Sequence, residues 1–298
     1  MFNESINISF IFKNKQFVKI VIIALLPCVN ALYWLFYISN GWLAMYSMHF
    51  ICMLLIPTFC YGLKYLTSNL NDALEYGKNF EILKCIYISI FISVFGTTCL
   101  FLVLELSKII PTFNLLNIEE IKDGLLKEGI IKDSANNIGF STWFSSIYFS
   151  IVNPIIEELF WRSFVYKKLI ISLGVRNEAN PRSRFNINEI EAHYSDSLIA
   201  KNHRSSLFES YDIESGQIGY EANTELASII CSVLYSLYHF FVLIRFSSIH
   251  CSILSTISLA IIGRALLYVN RKFHTIYSIY IHIGLDISIV TFLILSLK

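Results

Sequence analysis

The feature that most constrains this chain is a series of long apolar runs separated by short polar segments. A helix of about 20 residues crosses a hydrocarbon core roughly 30 Å thick, and each run reaches that length. Hydrophobic residues make up 55% of the 298 residues and charged residues only 15%, so a soluble core could not bury all the runs. The pattern predicts an all-α fold, a polytopic membrane helical bundle. The runs lie at about 17–38, 42–66, 82–106, 141–172, 225–246, 250–269 and 275–297.

Two features of the runs leave the number of helices open. The run at 141–172 is too long for one simple crossing, and Pro154 within it favours a kink or a division into two shorter helices. The prediction is therefore seven or eight transmembrane helices. Two polar insertions interrupt the series. Residues 117–133 are predicted as a helix at the membrane surface or a solvated loop helix, and residues 174–224 as a flexible or loosely folded loop.

Charge and cysteine usage restrict location and partners. Lys and Arg fall in alternate loops, which predicts a cytoplasmic N-terminus, with the turns at 39–41 and 247–248 and the segment 108–139 outside. The first helix is expected to be an uncleaved anchor, since the N-terminus has no small-residue cleavage site after an apolar core. A net charge of +1 without a basic, aromatic-flanked cluster indicates no nucleic acid partner. The seven cysteines are scattered singly, so they are expected to act as small buried hydrophobic residues. Their spacing indicates neither a disulfide framework nor a thiolate zinc site.

Ionisable side chains inside three of the runs are the candidate functional residues. Burying a charge at the centre of a bilayer costs about 2.5–3.5 kcal/mol even on lenient scales, so each such residue needs a reason. Each of the three groups contains two polar residues that stand four apart and so share a helix face. In the first group Glu157 lies about 100° around the helix from its neighbour Glu158. The groups are Glu157, Glu158 and Arg162 in the fourth run, Tyr235 and His239 in the fifth, and His282 and Asp286 in the last.

Each group also has a structural interpretation. Glu158 and Arg162 could form an ion pair that only joins helices, and His239 could be a packed histidine with satisfied hydrogen bonds. His282 and Asp286 could likewise stabilise one helix. The coincidence of all three groups favours a convergent polar site, because their combined burial cost brings no return in packing.

The motifs E-E-x-x-x-R, aromatic-x-x-x-H and H-x-x-x-N/D, in this order on membrane helices, resemble those of the CPBP family, which includes the CAAX prenyl endopeptidases and the bacteriocin-processing Abi proteins. Here they read Glu157 to Arg162, Tyr235 to His239 and His282 to Asp286. The resemblance covers about residues 141–290, and the first three helices contribute nothing to it. The apolar runs and the resemblance together predict an N-terminal part, 1–140, of transmembrane helices and a surface segment, followed by a catalytic helical core, 141–298, that carries the insertion at about 174–224.

The resemblance implies a hydrolase: an intramembrane endopeptidase, or protease, acting on a membrane-associated peptide or protein in the lipid bilayer. Glu157 and His239 would hold a water molecule and take its proton. Glu158 and Arg162 would orient these groups and keep Glu157 ionised. His282 would donate a hydrogen bond to the oxyanion, a contribution of about 2.7–4 kcal/mol in such sites.

The family usually has asparagine where this chain has Asp286. Two hypotheses follow: Asp286 is protonated in a desolvated site, or it orients His282 and one oxyanion donor is lost. The second is preferred. No cofactor is firmly implied, and a zinc ion on Glu157, His239 and His282 is the alternative, although H-E-x-x-H is absent.

Two other classes of function compete. A non-enzymatic bacteriocin-immunity or membrane interaction protein could share the fold, and a transporter could use the polar stripes as an ion path. The catalytic residue types are all present, and no repeated half is visible. The Ile-, Asn- and Lys-rich composition further suggests a bacterial inner (plasma) membrane.

Overall fold

The protein is described by a computed structural model that covers residues 14–62, 82–109, 116–131, 140–174 and 214–297. Every regular element in these ranges is a helix, and no strand occurs in them. The all-α prediction is confirmed. The eight helices are α1 (Lys15–Ile38), α2 (Gly41–Tyr61), α3 (Ile82–Ile109), α4 (Ile118–Lys127), α5 (140–174), α6 (Glu214–Leu243), α7 (Ile249–Phe273) and α8 (Thr275–Ser296).

Six of the helices in the described ranges are long and apolar enough to cross a membrane: α1, α2, α3, the part Thr224–Leu243 of α6, α7 and α8. The prediction of a polytopic membrane bundle is confirmed, but the count is six and not seven or eight. The difference is α5, which carries two glutamates, an arginine and two lysines along the predicted run. Residues 140–174 are helical, but α5 is too polar to be counted among the helices that could cross a membrane.

Pro154 does not divide α5. The helix runs without interruption, and a π-helical segment, Tyr148–Val152, immediately precedes the α-helical turn Asn153–Glu158 that contains the proline. A second π-helical segment, Leu159–Tyr166, follows. Proline lacks a backbone N–H, and its ring crowds the carbonyl group four residues earlier in the helix. A widened turn accommodates both effects while the helix continues. The alternative of two shorter helices is wrong.

The centre of the bundle is α5. All eight residues from Leu159 to Tyr166 are buried, and the hydrophobic core around them also takes side chains from α1, α2, α6 and α7. Both predicted parts of the chain thus share one core; the boundary at residue 140 itself stays a prediction. On the far side, α8 lies against α3, where a Cβ on Gly284 would stand 2.6 Å from the carbonyl oxygen of Ser89. Small residues permit this close approach of two membrane helices.

The helix in the first polar insertion, α4, packs on two turns of the bundle. Asn117 caps it by accepting hydrogen bonds from the backbone N–H groups of Glu119 and Glu120. Just past its end, the buried Glu128 pairs with Arg245 at 2.6 Å, and its carbonyl oxygen accepts from the N–H of Gly41 at 3.1 Å. The segment therefore lies at the same end of the bundle as the turns that the charge pattern places outside.

The second insertion ends differently from its prediction. Residues 175–213 lie outside the described residues, but α6 starts at Glu214, inside the stretch predicted as loop. The prediction of a loop up to residue 224 is therefore wrong at its C-terminal end. All seven cysteines fall within the described ranges, where none is paired and four are buried.

Candidate active site

The three polar groups of the sequence meet between α5, α6 and α8. Glu157 and Glu158 are adjacent on α5 and almost completely buried, at 1% and 0% exposure. The 100° rotation between neighbouring positions sends their carboxylates to different helices. Glu157 Oε1 accepts a short hydrogen bond from the Tyr238 hydroxyl on α6, while Glu158 Oε1 accepts from His282 Nδ1 on α8 at 2.8 Å.

Arg162 lies one turn after Glu158 and is 1% exposed. Its Nε stands 3.3 Å from Glu158 Oε2, and its guanidinium carbon lies 4.3 Å from the centre of the Tyr235 ring. The ring face attracts the cation and the carboxylate offsets its charge. Since Glu158 binds both Arg162 and His282, the ion pair links α5 to α8 and also fixes the imidazole.

His282 is surrounded by three carboxylates. Because a carboxylate only accepts, Nδ1 carries the proton that it donates to Glu158. Nε2 lies 3.8 Å from Glu157 Oε2 and 3.7 Å from Asp286 Oδ1, beyond ordinary hydrogen-bond length. The edge of the ring that bears Nε2 therefore faces Glu157 without a direct bond to it.

Asp286 has a different close partner from the one the sequence suggested. Its Oδ2 accepts a hydrogen bond from Asn153 Nδ2 at 2.9 Å, and Asn153 lies one turn before Glu157 on α5. The carboxylate in hydrogen-bond contact with His282 is Glu158, whereas Asp286 is 3.7 Å away. The hypothesis that Asp286 is the orienting acid of His282 thus lacks the expected close contact.

His239 is held at both ring nitrogens. Nδ1 donates to the backbone carbonyl of Tyr235, four residues earlier, at 2.8 Å, and Nε2 lies 2.9 Å from the Tyr238 hydroxyl. The same hydroxyl contacts Glu157. A side chain of the protein therefore stands between the two groups that were predicted to share a water molecule. His239 is only partly buried, so this side of the site approaches the molecular surface.

Three polar residues of this region were missed by sequence reasoning: Asn153, Tyr238 and His49. Asn153 shares the face of Glu157 by its spacing of four, which was an available signal. His49 on α2 is fully buried, and its Nδ1 lies 2.9 Å from the hydroxyl of Tyr148 on α5. A histidine within an apolar run was a signal as well. Nothing in the sequence distinguished Tyr238 from the other tyrosines.

The predicted zinc alternative was Glu157, His239 and His282. Within the residues that the structure describes, no three His, Cys, Asp or Glu side chains are grouped so that they could hold a metal ion. His239 Nε2 is engaged by Tyr238. As placed here, these three side chains do not fit a zinc site.

The fold and the site define a helical membrane protein with buried acids and imidazoles converging from three helices. A comparison with protein families matches residues 139–288, half of the chain, to the family described as type II CAAX prenyl endopeptidase Rce1-like. The chain belongs to this family, which is one of CAAX-type membrane proteases. The match confirms the resemblance and spans the site residues from Asn153 to Asp286, but not His49. Comparisons with curated proteins and with solved structures found no match.

Proposed function

We propose that this protein is an intramembrane endopeptidase that hydrolyses a peptide bond of a membrane-associated substrate with water activated by Glu157 and His239. The observation that supports the proposal is the convergence of Glu157, His239 and His282 from three helices at one buried site. Burying each of these ionisable side chains is costly and brings no benefit to the helix that carries it, considered alone. A hydrolytic site gives a common reason for all three.

In this mechanism Glu157 is the general base. Glu157 Oε2 is buried and has no hydrogen-bond partner among the described residues, so it is the oxygen available to a water molecule. It would take a proton from water as the water oxygen attacks the peptide carbonyl, and later pass that proton to the leaving amine. Proton transfer by a positioned side chain contributes about 10²- to 10⁴-fold to the rate. His239 assists through the hydroxyl of Tyr238, which contacts both His239 and Glu157.

His282 would stabilise the oxyanion. Its Nδ1–H is committed to Glu158, so Nε2 is the donor that remains, and it carries a proton in the imidazolium form. Arg162 and Glu158 hold the ring in place from α5. Asp286, which accepts a hydrogen bond from Asn153, would place its carboxylate charge 3.7 Å from Nε2 of His282.

The proposed substrate is a peptide or protein that enters from the bilayer. The family description points to prenylated C-termini, while the bacterial character of the composition favours a leader peptide or a membrane protein. The proposed location is the bacterial plasma membrane with the N-terminus in the cytoplasm. The packing of α4 on the turns at 39–41 and 245–248 supports the common side given to these segments.

The test is comparative proteomics of membranes from cells that carry the wild-type protein or Glu157→Gln. We expect a membrane-tethered peptide to accumulate uncut with the variant. Glu225→Gln is the matched control, because Glu225 is a half-exposed glutamate of α6 that pairs with Arg264 and Arg271 away from the site. Identical peptide profiles for wild type and Glu157→Gln would contradict the proposal and favour the non-enzymatic membrane interaction protein.

A further inference from the structure

The hydroxyl of Tyr238 occupies a fixed position between Glu157 and His239. The residue is 1% exposed, and its ring stacks on Trp161 with centroids 5.7 Å apart and planes inclined by 3°. The ring of Tyr235 packs edge-on against it from the preceding turn at 6.0 Å. Aromatic packing on two sides limits the rotation of the ring. The hydroxyl is thus held where it contacts both the acid and the imidazole.

The hydrogen bonds of His239 restrict where protons lie. The carbonyl of Tyr235 only accepts, so His239 Nδ1 carries a proton. The Tyr238 hydroxyl has one proton and two partners. If it donates to Glu157, then His239 Nε2 must donate to Tyr238; if it donates to Nε2, then Glu157 must donate as the neutral acid. Both arrangements contain one proton more than an ionised Glu157 beside a neutral His239. Two protons moving along the chain interconvert them.

We propose that Tyr238 is a positioning residue of the hydrolytic site, which joins Glu157 Oε1 and His239 Nε2 through one hydroxyl and leaves Glu157 Oε2 to act on water. This inference rests on the proposed function. It leaves Glu157 Oε2, which lies 3.8 Å from His282 Nε2, as the oxygen that takes the water proton, and His239 acts on Glu157 through the Tyr238 hydroxyl. The water proton moves to Oε2 as the water oxygen bonds to the carbonyl carbon. The same proton then moves to the amine nitrogen as the C–N bond breaks.

In the arrangement that supports this step, the shared proton lies on His239 and Tyr238 donates to Glu157 Oε1. Glu157 is then ionised and oriented at the same time. Loss of the hydroxyl removes the donor from Oε1 and lets the carboxylate rotate away from the carbonyl carbon. Misplacement of a reacting group by about 1 Å can cost roughly 10²-fold in rate.

The experiment compares the purified full chain, as wild type, Tyr238→Phe and Tyr166→Phe, in lipid nanodiscs. Tyr166 is the matched control, because it lies on α5 and is equally buried at 1%. The hydrogen bonds that join Glu157 to His239 run through Tyr238 and not through Tyr166. The probe is an internally quenched peptide with a farnesylated C-terminal CAAX sequence. We expect Tyr238→Phe to lower kcat roughly 10- to 100-fold with KM unchanged, and Tyr166→Phe to change neither.

A second measurement reports on the hydrogen bonds without relying on cleavage. In protein labelled with ¹⁵N-histidine, the Nε2 resonance of His239, assigned with His239→Gln, is expected to shift in Tyr238→Phe and not in Tyr166→Phe. An unshifted resonance would overturn the hydrogen-bonded chain. An unchanged kcat in Tyr238→Phe, or an equal loss in both variants, would overturn the positioning role. Failure of the wild type to cleave the probe would instead count against a prenylated C-terminus as the substrate of the proposed function, while the resonance still decides whether the hydrogen-bonded chain exists.

Discussion

The buried pair of Glu158 and Arg162 permits a prediction about stability. The two side chains are 0% and 1% exposed, and Nε and Oε2 stand 3.3 Å apart. The Nη1 and Nη2 atoms of Arg162 have no hydrogen-bond partner among the described residues. Changing Glu158 to Gln keeps the shape of the side chain but leaves the guanidinium charge buried without its carboxylate.

The expected size of the effect follows from these contacts. Removing one member of a buried ion pair costs about 3–5 kcal/mol, whereas replacing both members with apolar groups is often close to neutral. The amide oxygen of Gln can still accept from His282 but lacks the charge that strengthens this bond, so a part of the cost, about 1–3 kcal/mol, remains when both members of the pair are replaced. We therefore expect Glu158→Gln to cost about 3–5 kcal/mol, and the double variant with Arg162→Met to cost only about 1–3 kcal/mol. A second substitution would restore part of the stability.

The assay is equilibrium unfolding of the purified variants in mixed micelles with increasing SDS, followed by tryptophan fluorescence and far-UV circular dichroism. The coupling energy comes from the complete cycle, including Arg162→Met alone. Glu225→Gln, which disturbs half-exposed ion pairs on α6, is the control and should change stability by less than about 1 kcal/mol. Additive effects of the two site substitutions would refute the reasoning, because independent residues give no coupling.

Two further predictions concern the chemistry. Asp286→Asn should retain cleavage or raise it, because the new amide can still accept from Asn153 and can donate toward the oxyanion; a complete loss of cleavage at normal expression would contradict this view of Asp286. Cleavage should also persist after treatment with 1,10-phenanthroline, and the purified protein should contain far less than one zinc per chain by elemental analysis. Loss of cleavage that added zinc restores would show that the site binds a metal.

The membrane bundle was predictable because apolar runs of helical length have few other solutions in a chain with so few charges. The site was predictable in part for the same reason. Glu157, Glu158 and His282 are conspicuous because ionisable groups are costly inside a membrane span. Their spacing along each helix also indicated which of them share a face.

The contacts between helices were not predictable. Whether Tyr238 or a water molecule meets Glu157 depends on how α5 and α6 cross, and the sequence does not specify that packing. A tyrosine in an apolar helix is ordinarily a packing residue, so its type alone carried no signal. His49 was missed because it lies on α2, in the half of the chain without a recognisable motif. Pro154 indicated a break, but the widened turn before it was invisible to a pattern of residue types.

The central claim is that Glu157 belongs to a hydrolytic site assembled by three helices of the bundle, α5, α6 and α8. The most direct measurement is the rate at which purified wild type and Glu157→Gln, in proteoliposomes, release the new C-terminus of the peptide found to accumulate in cells. The account predicts a loss of about 10²- to 10⁴-fold in kcat for Glu157→Gln with an unchanged melting temperature. Equal rates for the two proteins would contradict it.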